Sequence, residues 1–204
     1  MKILAYDTSG DKLTAALAEN GRLLREEESV SSERHSSTLV PFLEKLLKKA
    51  RWKPEDIDVL AVGIGPGSFT GIRVGVTTAK LLGLVWKTKL VGISSLEALA
   101  RTGETSEGVL PVAIDARRGR IYAALYEKKA GRFSERISPM LTTPEEFFKR
   151  VGGPAAILER PSVRASGIAL AAFDRAVRKK FKTRDSLEPL YLHPKDCNVT
   201  LPKK

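Results

Sequence analysis

The sequence predicts a duplicated α/β fold in two sheet-plus-helix lobes, the second smaller than the first. Three observations predict it. The opening residues read as strand, turn, strand and turn; the same order returns from residue 109, again with an aspartate closing the first strand; and amphipathic helical segments follow each set of strands. With 204 residues, 42% of them hydrophobic, the chain can form one large domain or two small ones with packed cores.

In the first copy, Ile3 to Tyr6 reads as a strand, Thr8-Ser9-Gly10-Asp11 as a turn, and Leu13 to Ala18 as the returning strand. Asn20-Gly21 starts a second hairpin toward Arg22-Leu23-Leu24. A helix is predicted from about Ser37 to Ala50, because Leu39, Leu43, Leu46, Leu47 and Ala50 share a face that Val40 and Phe42 widen. Pro41 suits only the first turn of such a helix. Next come a buried strand from Val59 to Ile64, the loop Gly65-Pro66-Gly67-Ser68-Phe69, and a helix from about Thr70 to Leu84 capped by Ser68 or Thr70. A short strand, Leu90 to Ile93, leads into a helix opened by the capping box Ser94-Ser95-Leu96-Glu97.

The second copy runs through a strand from Val109 to Asp115, the turn Ala116-Arg117-Arg118-Gly119, a strand from Arg120 to Glu127, and a turn at Gly131-Arg132. At an offset of 108, Ala5, Asp7, Ala15, Ala16, Leu17 and Glu19 match Ala113, Asp115, Ala123, Ala124, Leu125 and Glu127. A capping box at Thr143-Pro144-Glu145-Glu146 and an amphipathic helix from about Val163 to Phe181 complete it. The polar stretch Gly103 to Gly108 sets the lobes at 1–104 and 105–204. Two such units, each with an Asp-bearing turn, resemble the actin-like duplicated fold, in which those turns face one another across a cleft and hold the phosphates and magnesium of ATP.

Composition narrows the setting. Cys197 is the only cysteine, which excludes an internal disulfide and a thiolate metal cluster and makes the sequon Asn198-Val199-Thr200 a chance match. No apolar run approaches a membrane span, and the opening residues reach Asp7 before a signal-peptide core can form, so a cytoplasmic location is expected. Residues 1 to 100 carry 14 Lys/Arg against 12 Asp/Glu, a balance of +2, whereas residues 101 to 204 carry 21 against 12, a balance of +9. That asymmetry suits either a polyanionic partner such as tRNA or ordinary solubility, and Arg178-Lys179-Lys180 reads equally as a solvated helix face.

The stretch Gly65 to Arg73, GPGSFTGIR, lacks the Gly-Lys-Ser/Thr of a phosphate-binding P-loop. As a whole string it resembles the TsaB (YeaZ) family of tRNA threonylcarbamoyladenosine biosynthesis subunits. The stretches from Ile3 to Ser9, His35-Ser36, Ile93 to Leu99 and Ile114 to Gly119 agree in the same order. The resemblance is close over residues 1 to about 126. Near the end, Pro189-Leu190-Tyr191-Leu192-His193 has histidine where the family carries arginine.

The resemblance implies an accessory role. The catalytic relative, TsaD, holds a metal through a His-x-x-x-His pair whose positions fall here on Ser95 and Leu99, and a hydroxyl with an isobutyl group cannot replace two imidazoles. Asp7, Thr8 and Ser9 retain the look of a phosphate loop, but Asp115 is followed by Ala116-Arg117-Arg118 where a second phosphate turn needs glycine. No catalytic residue, metal or cofactor is expected. His35 and His193 build no catalytic constellation, and no Gly-x-Ser-x-Gly elbow occurs. The implied partners are a TsaD-like transferase, a TsaE-like ATPase, a second copy of the chain when alone, and tRNA through the complex. Leu39, Leu43, Leu46, Gly71, Gly75, Val76 and Lys80 are expected at the protein interface, with Gly71 and Gly75 four apart to allow close backbone approach. The rival readings are an independent actin-like ATPase or sugar kinase, and a glycoprotease-like metallopeptidase.

Overall fold

Alternation of apolar residues on both sides of the first strands requires cover on both faces, and the fold supplies it. The structure, a computed structural model, describes residues 1–29, 35–103, 107–159 and 161–192. Strands β1 (Lys2–Asp7), β2 (Thr14–Glu19) and β3 (Arg22–Glu28) form the expected antiparallel meander. Helix α1 (His35–Ala50), β4 (Val59–Gly63), α2 (Phe69–Trp86) and β5 (Lys89–Ile93) follow. β4 and β5 join β1 in parallel, giving the order β3-β2-β1-β4-β5. α1 begins earlier than the sequence predicts, so Pro41 lies inside the helix, with its ring exposed to solvent.

Helix α3 (Ser95–Thr102) leads to the second sheet, built from β6 (Gly108–Asp115), β7 (Ile121–Lys129), β8 (Arg132–Thr142) and, after α4 (Pro144–Val151), the short β9 (Ile157–Leu158). Its order, β8-β7-β6-β9, repeats the first sheet without the fifth strand. This is the duplicated, actin-like α/β arrangement. The copies are not in perfect step. Ala5 faces Ala16, but Ala113 faces Ala123, so the second hairpin is one residue shorter and the offset of 108 serves only the first strand of each pair.

One face of the first sheet, Leu4, Tyr6, Leu17, Leu60 and Val62, is covered by Leu39, Leu43 and Leu46 of α1 and by Ile72, Val76 and Ala79 of α2. The opposite face, Ile3, Ala5, Ala18, Val59, Ala61, Val91 and Ile93, is covered by the last helix, α5 (Ala165–Val177), through Ile168, Ala169, Ala171 and Ala172. The helix predicted at the end of the second copy therefore forms, but it packs on the first sheet. Its alanines and Gly167 permit this, since a Cβ at Gly167 would collide with the Ala98 carbonyl of α3. α4 covers the second sheet, seating Phe147 against Ala113, Ile121 and Ala123.

α3 is wedged between the lobes. Ala98 belongs to the core shared with α5, while Leu96 and Ala100 pack on Val112, Ile114, Ala124 and Tyr126 of the second sheet. The capping box expected here is half formed. Ser94 Oγ accepts from the Leu96 amide at 3.2 Å, but Glu97 turns away to the arginines. Its carboxylate takes two bonds from Arg175, Nη1 to Oε1 at 3.0 Å and Nη2 to Oε2 at 2.6 Å. Arg101 adds a third at 3.1 Å and reaches Asp174 at 2.9 Å.

Burial pushes the Glu97 carboxyl up, and Arg175 with Arg101 more than offset it, holding the group below the usual glutamate range. Its folded pKa therefore lies below the unfolded value of about 4.3. The stabilisation is complete above that pH and is lost as pH falls through the depressed folded value. Glu97→Ala leaves two guanidiniums facing a site that is only 8% exposed on the glutamate side. Urea unfolding at pH 7 should show a loss of about 3 kcal/mol, and the variant should lose less stability than the parent on acidification.

Candidate functional site

The turn after β1 and the turn after β6 face one another, as the duplicated architecture requires. Between them lies a cleft of about 420 Å³ lined by Ser9, Asp11, Gly67, Ser68, Asp115 and Arg117, with Pro161 and Val163 at its margin. Both turns close on their aspartate in the same way. Asp7 Oδ1 accepts from the Ser9 amide at 2.7 Å, and Asp115 Oδ1 accepts from the Arg117 amide at 2.8 Å.

The polar groups a phosphate would use in the first turn are already engaged. Asp7, Thr8 and Ser9 are 1%, 0% and 5% exposed. Thr8 Oγ1 donates to the Gly71 carbonyl at 2.7 Å, and the Ser9 hydroxyl bonds to Asp7 Oδ1 at 2.7 Å and lies 3.0 Å from the Ser95 hydroxyl. The Ser9 carbonyl accepts from the Ser68 amide at 2.7 Å, tying this turn to the start of α2. The second turn, with Arg117 and Arg118 both at positive φ, presents side chains where a phosphate turn needs bare backbone. The cleft rim adds two carboxylates and one guanidinium. This donor set does not fit an ATP phosphate chain.

Glycines make the first turn fit. A Cβ at Gly63 would collide with the Asp7 carboxylate, at Gly67 with the Ser9 carbonyl, at Gly71 with the Thr8 carbonyl, and at Gly75 with Thr8 Oγ1. The close backbone approach that the spacing of Gly71 and Gly75 allows is thus made within the chain. Tyr6 closes the same contact, donating to the Gly75 carbonyl at 2.9 Å. Of the two candidate caps of α2, Ser68 acts, accepting from the Gly71 amide at 3.2 Å.

Six of the seven residues expected at a partner surface are buried in the chain itself. Leu39 and Leu43 are 1% exposed, Leu46 0% and Val76 3%, all facing the first sheet, and Gly71 and Gly75 lie under the Thr8 turn. Lys80 is half-buried. The apolar face that periodicity detects is the one that the parent sheet covers. The outward face of α2 instead carries a ridge at four-residue spacing, Phe69, Arg73, Thr77, Leu81 and Val85, with Leu84 beside it. Leu81 is 59% exposed, Leu84 51% and Val85 72%, and Val40 on α1 is 49% exposed. Periodicity could not announce this ridge, because it shares a helix with the buried stripe. At its start, Arg73 lies over the Phe69 ring and donates to the Tyr191 hydroxyl at 2.8 Å, so the segment before residue 192 crosses the head of α2.

Ser95, at the first position aligned with the transferase's histidine pair, is fully buried on Ser9, and Leu99 packs between the two lobes' cores. Among the described residues, no group of three or more His, Cys, Asp or Glu is placed to hold a metal ion. No helix there is long and apolar enough to cross a membrane. His193, Cys197, Asn198 and the residue-104 boundary lie outside the described residues, as does the side chain of His35.

Residues 28–185 match the model of the TsaD family, tRNA N6-adenosine threonylcarbamoyltransferase. The chain is 36% identical over 162 residues to the tRNA threonylcarbamoyladenosine biosynthesis protein TsaB of Bacillus subtilis, covering 78% of this chain and 70% of that one. The chain belongs to the TsaB (YeaZ) family. A second TsaB, from Escherichia coli, is 35% identical over 63% of this chain and 56% of its own length. The solved structure of YeaZ from Pseudomonas aeruginosa superposes with a TM-score of 0.80 at 26% identity, covering 94% of this chain and 99% of that one.

Sequence reasoning missed the Glu97–Arg175 pair, whose members are 78 residues apart and meet only because α5 returns to α3. In this TsaB-family chain the glycines of the Asp7 turn supply a sign test. Helix propensity alone favours alanine over glycine by about 1 kcal/mol, yet Gly71→Ala should destabilise the protein by about 2 kcal/mol through collision with the Thr8 backbone. Gly153→Ala, where no neighbour lies within 4 Å, should be near neutral in the same urea titration.

Proposed function

We propose that this chain is a non-catalytic subunit of the tRNA threonylcarbamoyladenosine machinery. It binds a TsaD-type transferase and holds it in its active form, for modification of the adenosine next to the anticodon in tRNAs reading codons that begin with A. A TsaE-type ATPase joins the pair, a second copy of the chain occupies the same surface when the partner is absent, and the work is done in the cytoplasm. Family membership supports the pathway. The lobe 1–104 carries the partner surface, and the smaller lobe 105–204 supplies basic charge.

One observation carries the accessory reading. The hydroxyls of the first turn are engaged within the chain, while α2 presents an exposed apolar ridge through Leu81, Leu84 and Val85. A ridge at four-residue spacing is what a partner helix packs against, and a contiguous apolar patch left in water is costly unless covered. The interface is therefore assigned to the outward side chains of α2 with Val40 of α1, and Lys80 stands at its edge. Gly71, Gly75 and Val76 act beneath it, setting how α2 lies on the sheet.

The two rivals make distinct demands. An independent ATPase or sugar kinase requires saturable ATP and magnesium binding by the isolated chain, read by calorimetry, and a metallopeptidase requires stoichiometric metal in the purified protein. The direct test is reconstitution with a TsaD-type transferase and tRNA, with threonylcarbamoyladenosine quantified by mass spectrometry of nucleosides. Leu81→Asp with Val85→Asp should abolish co-elution with the transferase and reduce modification to the level without this chain. Urea stability should change by less than about 0.5 kcal/mol, because both residues are exposed. Full-rate modification without the chain, or turnover by the chain alone, contradicts the proposal.

A further inference from the structure

The N-terminal ends of β1, β4 and β5 lie on one edge of the first lobe, where α1, α2 and α5 also end. Each of these helices is followed by a cation in the left-handed backbone region: Arg51 at φ 56°, Lys87 at φ 54° and Lys179 at φ 53°. Glycine adopts that conformation without steric cost, and the chain uses it at the end of α4, where Gly152 has φ 81°. Arg51 and Lys87 therefore occupy positions where backbone geometry favours glycine. Favourable interaction with a helix C-terminus accounts for a positive charge near each end, but not for the aromatic rings set among them.

Those rings are organised. Lys2 Nζ stands 4.9 Å from the centre of the Trp52 ring, and Lys89 Nζ 5.9 Å from that of Phe181. Trp86 and Phe181 line a hollow of about 630 Å³ with Lys87, Thr88 and Lys89. The Thr88 hydroxyl is buried in that wall without a hydrogen-bond partner among the described residues. Glu55 and Asp58 also line the hollow, and Asp58 is already committed, accepting from the Lys2 amide at 2.7 Å and pairing with the N-terminal ammonium at 3.9 Å. Among the described residues, Lys87, Lys89, Lys180 and Lys182 enter no ion pair. Lys182 is fixed at the edge by its amide, which donates to the Leu90 carbonyl at 2.8 Å.

We infer that this edge is an RNA-binding surface: Lys87 and Lys89 meet the phosphodiester backbone, and an unpaired base enters the hollow beside Trp86 and Phe181. Cations interleaved with aromatic platforms are the recurring solution for single-stranded nucleic acid. A membrane surface fits less well, because the aromatic rings are half-buried in a concavity and do not protrude. That the polyanion is RNA rests on the reading of the chain as a tRNA-modification subunit; that the edge binds a polyanion does not.

The test uses the full chain alone. Its only tryptophans, Trp52 and Trp86, both lie on this edge, so their fluorescence reports binding directly. Titration with an unmodified tRNA transcript or a single-stranded oligoribonucleotide should give saturable quenching that weakens with salt. Lys87→Glu with Lys89→Glu should lower affinity at least tenfold and reduce the slope of log affinity against log salt by about 1.4 to 1.8, at roughly 0.7 to 0.9 per neutralised phosphate. Arg117→Glu with Arg118→Glu, in the second lobe's turn, should leave affinity within about twofold. Absence of quenching, equal losses in the two variants, or tighter binding to phosphatidylglycerol vesicles than to RNA overturns the inference. Failure of the parent chain to bind RNA, with tRNA modification still dependent on the chain, sinks this surface alone, whereas RNA binding by the parent chain with modification independent of it sinks the functional reading alone.

Discussion

Backbone laid on backbone is the constraint on which the rest of this structure depends. The Thr8–Ser9 turn rests on the start of α2 with no side chain of Gly67, Gly71 or Gly75 in the way. The contact fixes α2 on the sheet and uses the hydroxyls of Thr8 and Ser9 inside the chain. The same contact therefore does two things. It removes the groups that a phosphate loop offers a nucleotide, and it sets which face of α2 points outward.

The lobes are joined by more than their connecting chain. α3 carries side chains into both cores, and α5, which follows the second sheet in sequence, closes the far face of the first. Glu97, with Arg175 and Arg101, ties these two helices together at a buried point. The Thr14 hydroxyl donates to the Val163 carbonyl at 2.7 Å, and Glu26 of β3 accepts from the Ser166 amide at 2.8 Å, so the return of α5 is held at its start as well. Relative movement of the lobes would have to break these bonds together.

Local patterns were legible in the sequence and long-range ones were not. The apolar run from Ile3 to Tyr6, closed by a turn, marked β1, the spacing of Leu39, Leu43 and Leu46 marked α1, and the repeated Asp-bearing turn marked the duplication. Periodicity reports which residues are buried without naming what buries them, so burial of the same leucines against the parent sheet and the partner surface that the family resemblance implies were not separated by it. The packing of α5 depends on the alanine content of one helix and the shape of a distant sheet, which no local window contains. The basic edge was hidden for a similar reason: Lys87 and Lys89 come from the nearly neutral first half, Phe181 from near the end, and only the fold brings them together.

A nucleotide-type scaffold whose own atoms occupy its turn has surfaces left with which to act, and the account stands or falls on whether the cleft takes part in the reaction. The most direct measurement is the rate of threonylcarbamoyladenosine formation by a reconstituted complex in which this chain carries Asp11→Ala, Asp115→Ala and Arg117→Ala, the acidic and basic side chains lining the cleft. A rate within about twofold of the parent, with the complex still assembled, is the predicted result, since a lost reacting group typically costs a hundredfold or more. A fall of that size with assembly intact would contradict the account.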